Sequence, residues 1–318
     1  MKDFTYISAL AHLPKWRTEK INRLIIDILE EKRLTFAEFF EVEKDTLQKD
    51  FELNPKETDD ILRAKKELPN YAFLVDELLN QGFELIPIYS ADYPKTLKDN
   101  LENTYAPPLL YTKGNKEIFH KEKVAVVGSR NVSKKGIDFT KKITKKLVGQ
   151  GNVVVSGFAK GVDRISLEVA LENEGQSIIV LPQGILTFSS GFKKHYQGII
   201  QGNILVMSTY HPKLPWSVGL AMGRNRYIYG LADNIYVAES DFKGGTWEGV
   251  IDGLKKIKQF RMEEYRKIYV RYANKIERCA NNELIKKGAI GINDNLEVIS
   301  DFSNLNKNEV NPKQAELF

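Results

Sequence analysis

Three short stretches combine glycine with a hydroxyl, and two of them add a cation: Gly128-Ser129-Arg130, Ser156-Gly157-Phe158-Ala159-Lys160-Gly161 and Gly244-Gly245-Thr246. Each closely follows an apolar run of strand length, Val124–Val127, Val153–Val155 and Ile235–Ala238. That combination suits phosphate. Glycine lets an anion come close to the backbone, helix N-termini add positive field, and Arg130 and Lys160 add full charges. Arg130 can pair two phosphate oxygens, whereas Lys160 acts as a point charge. A fourth group, Arg224-Asn225-Arg226, lies on a helical pattern. Side chains two apart on a helix diverge, so one arginine is expected to face the crest while the other pairs locally.

The same residues exclude several chemistries. GxxxxGK[ST] is absent, which argues against ATP hydrolysis, and the first strand–helix turn lacks GxGxxG, which argues against a dinucleotide. No serine sits in a GxSxG elbow. Four scattered histidines and the single Cys279 offer no zinc spacing, so neither a metal nor a cofactor is expected. Glu248, in the first turn after Gly244-Gly245-Thr246-Trp247, has two readings. It complements the helix dipole, or it assists cleavage of an N-glycosidic bond.

Positioning these loops requires strand–helix alternation. Lys123–Gly161 has the length of a βαβ unit, with Phe139, Ile143 and Leu147 on one helical face. Further strands are expected at Ile178–Leu181, Ile204–Met207, Ile235–Ala238 and, last, Ile268–Val270. Helices are expected from about Asp163 to Leu171, over Met222–Leu231 and over Trp247–Phe260. The fold class is therefore α/β: a Rossmann-like, mostly parallel sheet covered by helices.

Ahead of it, Ile21, Leu24, Ile25, Ile28 and Leu29 recur at helical spacing, and Phe36, Phe39, Phe40, Leu47 and Phe51 continue an apolar face. Asn54-Pro55 starts another helix. Lys65–Leu68 and Pro69 read as a boundary, giving a helical N-terminal domain at 1–67, the sheet domain at 68–290 and a polar tail at 291–318. The formal net charge of +5 permits an anionic partner without requiring one. Apolar stretches are too short to span a bilayer and no signal-peptide pattern opens the chain, so a cytoplasmic location is expected.

Several of these motifs, in this order and spacing, resemble one family. VAVVGSR, SGFAKGVD, GRNRYIYGLAD and GGT are similar to the DNA-processing protein A (DprA, or Smf) family. SADYPKTLKD and APPLLYTKG resemble the segment before its Rossmann-like domain, and Asn282–Ala289 its closing helix. The resemblance implies a single-stranded DNA-binding homodimer that helps load the RecA recombinase during natural transformation (competence) and recombination, rather than an enzyme. By motif, the phosphate contacts would be Gly128, Ser129, Arg130, Ser156, Gly157, Lys160, Gly161, Asn225 and Arg226, with Gly244, Gly245 and Thr246 completing the pocket.

The chain departs from the family pattern. Lys160 replaces an arginine, Leu167 a histidine, and Val218–Met222 reads as an insertion. A divergent role in defence or mobile-element DNA handling is one alternative. The other is a nucleotide hydrolase of the lysine-decarboxylase-like class, with Glu248 catalytic and Arg130 holding the phosphate. Finally, Gln314-Ala315-Glu316-Leu317-Phe318 resembles the peptide that binds the bacterial sliding clamp, with Gln314, Leu317 and Phe318 as anchors.

Overall fold

A computed structural model describes residues 2–259, 266–274 and 277–299. The chain opens with helices α1 (Lys2–Ala11), α2 (Thr18–Ile26), α3 (Phe36–Glu41), α4 (Lys44–Asp50) and α5 (Pro55–Asn80). Phe36, Phe39, Phe40, Leu47 and Phe51 are buried, as their spacing predicts. Asn54 caps α5 through a reciprocal box with Glu57, and Pro55 takes its first position.

The break expected at Lys65–Pro69 is absent. α5 runs through Pro69, so a division at 67/68 falls inside a helix. Proline forfeits one backbone bond there, but its ring lies on the solvent side. Ile61 and Ala64 before it and Leu74, Val75 and Leu78 after it are all buried, and packing on both sides outweighs the local cost.

Nine strands follow in one sheet, ordered β1-β2-β6-β5-β4-β3-β7-β8-β9 among the described residues. They are β1 (Glu84–Pro87), β2 (Leu109–Gly114), β3 (Lys123–Gly128), β4 (Val153–Ser156), β5 (Ser177–Val180), β6 (Ile204–Ser208), β7 (Asn234–Glu239), β8 (Lys267–Arg271) and β9 (Ile290–Ile292). β2 is antiparallel to β1 and β6, and every other pairing is parallel. The helices between strands are α6 (Lys95–Tyr105), α7 (Lys134–Gly149), α8 (Val162–Glu172), the short α9 (Ser189–Lys194) and α10 (Tyr196–Ile200), α11 (Val218–Leu231), α12 (Gly245–Gln259) and α13 (Asn281–Lys286).

β3 alternates its faces. Val124 and Val126 pack with Phe139, Ile143 and Leu147 of α7, while Ala125 and Val127 join the core that holds Ile228 of α11 and Val250 of α12. The strand order reverses at β3, which pairs β4 on one side and β7 on the other. The loops after β3 and β7 therefore part toward opposite faces and open a crevice at the carboxyl ends of the strands, where open parallel sheets bind ligands.

Val218–Met222 forms the first turns of α11, started by the Ser217 hydroxyl, which accepts from Leu220 N. One further expectation is corrected. β8 is not the last strand. β9 adds parallel to it and Ile292 bridges Val298, so ordered structure continues to 299 where a tail was expected from 291. A three-residue strand is too short to register as a pattern, and only Ile292 and Leu296 bury apolar bulk there. The motif Gln314, Leu317 and Phe318 lies outside the described residues.

Candidate functional site

The crevice is built by hydroxyls and carboxylates that fold the strand-end loops back onto each other. Ser129 N donates to Glu239 O at 2.8 Å, and Ser129 Oγ donates to Asp241 Oδ2 at 3.1 Å while accepting from Asn131 N. Together these bonds tie the β3 loop to the β7 loop. Ser156 does the same after β4: its hydroxyl donates to Asp163 O at 2.7 Å and accepts from Phe158 N. Both serines are buried. Gly161 joins the two loops at φ +86°, where a Cβ would strike Ser129 O and lie 2.8 Å from Arg130 Cα.

One helix N-terminus expected to receive phosphate, that of α7, holds a carboxylate of the protein itself, and a second carboxyl occupies the loop ahead of α8. Ser133 N, at the start of α7, donates to both Glu239 carboxylate oxygens at 3.1 and 3.2 Å, and the Ser133 hydroxyl also contacts Glu239. Asp163, in the first turn of α8, accepts from the backbone N–H groups of Gly157 and Ala159. Burial pushes the Asp163 carboxyl above the usual range, and Arg224, those N–H groups and Arg130 oppose the shift.

Arg224 is the inward member of the arginine pair. It is 3% exposed, and its Nη1 donates to Gly157 O at 2.6 Å and Val180 O at 2.7 Å, clamping the ends of β4 and β5. Its Nε has no hydrogen-bond partner among the described residues. Gly157 is required beneath it, since a Cβ there would overlap the guanidinium.

Around this floor the crevice forms a cleft of about 400 Å³, lined by Gly128, Ser129, Arg130, Asn225 and the Lys243–Thr246 loop, with Arg224 at its base. Arg130 is exposed and also borders a second hollow of about 260 Å³, which holds Gly157, Lys160 and the half-exposed Trp216. Gly128, Ser129, Arg130, Asn225, Gly244, Gly245 and Thr246 thus meet in one cleft, and Gly157 and Lys160 line its neighbour. Ser156 and Gly161 brace the loops from behind.

Arg226 is not in this cleft. It turns into an adjoining groove, where its guanidinium lies 5.0 Å from the Tyr105 ring centroid. Glu248 lines that groove too, whereas Arg130 lines the crest cleft.

Two cations that line the cleft, Lys243 and Arg224, were not among the expected phosphate contacts. Lys243 lines the cleft beside Gly244 and could have been noticed as the residue leading into that glycine turn. Arg224 could not be separated from Arg226 by spacing alone. Among the described residues no helix is long and apolar enough to cross a membrane, and no group of three or more metal-type ligands occurs.

Comparison with known proteins places this architecture. The family model for DNA recombination-mediator protein A matches residues 84–303. DNA processing protein DprA of Streptococcus pneumoniae is 35% identical over 183 residues, covering 56% of this chain and 63% of the relative. The Bacillus subtilis DprA is 30% identical over 176 residues, covering 52% and 55%. The matched region therefore spans less than two thirds of either relative's length.

The X-ray structure of DprA from S. pneumoniae superposes with a TM-score of 0.69 at 27% identity, covering 92% of this chain and 94% of that one. A structure of Helicobacter pylori DNA processing protein A, which describes that protein's single-stranded DNA binding mode, gives 0.54 at 25% identity over 72% and 95%. With 220 residues matched by one family model and the α/β sheet shared with solved members, the chain belongs to the DNA recombination-mediator protein A family.

Proposed function

We propose that the crest binds single-stranded DNA through its backbone and that the chain works as a recombination mediator rather than an enzyme. The observation that carries this reading is the cation set of an open cleft. Arg130 and Lys243 line the cleft, Lys160 lines the hollow beside it, and the buried Arg224 borders both. Exposed arginine and lysine side chains at such a rim pair with phosphate oxygens. The N-terminus of α7, which would otherwise cradle a mononucleotide's phosphate, is occupied by Glu239, and the Gly157 and Ala159 amides of the loop before α8 are taken by Asp163. A polymer lying across the rim suits such a surface better than a nucleotide seated inside it.

Loading of RecA, a homodimeric assembly and a role in natural transformation are proposed from the motif resemblance. Clamp binding through Gln314, Leu317 and Phe318 is proposed from the peptide pattern, to be tested by calorimetry with and without residues 314–318. The central test is gel-shift titration with single-stranded DNA, duplex and mononucleotides. Tight binding to the single strand alone is expected. Equal or preferential binding of mononucleotides overturns the reading.

A further inference from the structure

Beside the crest, α6, α11 and α12 enclose a groove of about 240 Å³. It shares Met222, Asn225, Tyr229 and Gly245 with the crest cleft, so the two depressions are continuous. Tyr105 stands in its wall, 40% exposed at the end of α6. Two cations lie over the ring: Arg226 with Cζ at 5.0 Å from the centroid, and Lys256 with Nζ at 4.7 Å. Asp252 holds Lys256 at 3.1 Å, one turn away on α12. The platform is fixed to α11 as well, because the buried Asn100 amide donates to Gly230 O at 2.9 Å and Leu101 packs against Gly230, where a Cβ would not fit.

Resting on the reading of the crest as a single-strand site, we propose that the strand continues past Asn225 and Gly245 into this groove and stacks a base on the Tyr105–Arg226 pair. What sets the groove apart is its exposed ring: its charges are mixed, Arg226, Lys256 and Arg266 beside Glu248 and Asp252, and Lys256 is already paired with Asp252. An aromatic ring is a sequence-tolerant stacking platform, and a base that stacks on Tyr105 takes the place of one of the two cations lying over it. The turn at Gly245, against which the Asn225 amide rests, marks where the backbone leaves the cationic cleft and the base enters the groove.

The test is fluorescence anisotropy with labelled oligonucleotides of about 4 and about 16 nucleotides, lengths that bracket a short and a long single-strand site. Tyr105→Ala is expected to weaken the long oligonucleotide by roughly fivefold or more, the loss of one stacked base, and to leave the short one unchanged. Tyr105→Phe retains the wild-type affinity, and Arg226→Gln repeats the length-selective loss without touching the ring. Arg130→Ala weakens both lengths. Wild-type affinity of Tyr105→Ala and Arg226→Gln for the long oligonucleotide overturns the groove assignment while Arg130→Ala still reports on the crest. No loss in Arg130→Ala overturns the crest reading instead. Equal losses at both lengths in Tyr105→Ala also overturn the groove, because the ring then acts through the fold.

Discussion

Arg224 Nη1 donates to Gly157 O across 2.6 Å, from a helix on one side of the sheet into the loop that follows β4. The same nitrogen reaches Val180 O, and the guanidinium pulls against the burial of Asp163. Removing this side chain strands two carbonyls and a buried carboxyl at once. Arg224→Ala is therefore expected to destabilise the protein by about 3–5 kcal/mol, the range for breaking a buried charged contact from one side. Arg224→Lys recovers only part of this, since an ammonium lacks the planar fork. Urea unfolding of the two variants beside the wild type measures both numbers.

A second prediction concerns the joint between the leading helices and the sheet. His12 Nε2 lies 2.9 Å from the Tyr111 hydroxyl, and its ring meets His211 edge-on at 5.2 Å. Burial, with His211 adding to it, pushes the His12 pKa down to about 3. The unfolded chain binds that proton near pH 6.5 while the folded chain refuses it. The stability contribution is thus complete above pH 6.5 and is lost as pH falls from there toward 3. His211 is shifted downward by its own burial and adds in the same direction. At about 1.4 kcal/mol per pH unit for one proton, His12 alone takes away roughly 2 kcal/mol at pH 5 relative to pH 7. Denaturation midpoints at the two pH values should show that loss, and His12→Gln should flatten it. A slope that survives in the variant assigns the effect to other groups.

Backbone binding at the crest has a salt signature. Arg130→Ala, Lys160→Ala and Lys243→Ala should each weaken single-stranded DNA similarly across sequences and each reduce the slope of log affinity against log salt by about one. Trp216 lines the hollow with Arg130 and Lys160, so its emission reports occupancy directly. DNA-dependent quenching that disappears in Trp216→Phe is expected. An unchanged salt slope in all three charge variants excludes these residues as phosphate contacts.

What the sequence disclosed and what it hid follow from where each signal resides. The βαβ unit was legible because β3 and β4 are buried runs and α7 shows an apolar face of helical period. α11 was harder. It packs against α6, α12 and three strands, so its buried side chains do not fall on one stripe and its start at Val218 carried no periodic mark. Pro69 misled because proline's local cost is visible in sequence, whereas the compensating burial of Ile61 and Leu74 is tertiary. The three glycine loops were found by composition. The fact that Glu239 occupies the α7 terminus and Asp163 the amides of the loop before α8 depends on cross-loop geometry, which no spacing rule encodes.

That occupation leads to the last prediction. A mononucleotide needs a fixed place for its phosphate, and helix N-termini are the usual one at this edge of a parallel sheet. Here a phosphate at α7 would have to displace Glu239, which accepts from Ser133 N through both oxygens and sits near the buried Arg271, whose Nη2 lies 3.9 Å from it. A phosphate on the Gly157 and Ala159 amides of the loop before α8 would have to displace Asp163, which is buried beside Arg224. AMP and related mononucleotides should therefore compete poorly with a single strand, and incubation with them should release neither base nor phosphate. Glu239→Gln removes one negative charge from the α7 terminus and should raise mononucleotide affinity without creating turnover, because Glu248 still lies in the neighbouring groove. Chromatography of nucleotides incubated with wild type, Glu239→Gln and Glu248→Gln decides the matter. Base release by the wild type that vanishes only in Glu248→Gln would establish a hydrolase and displace the binding-protein reading.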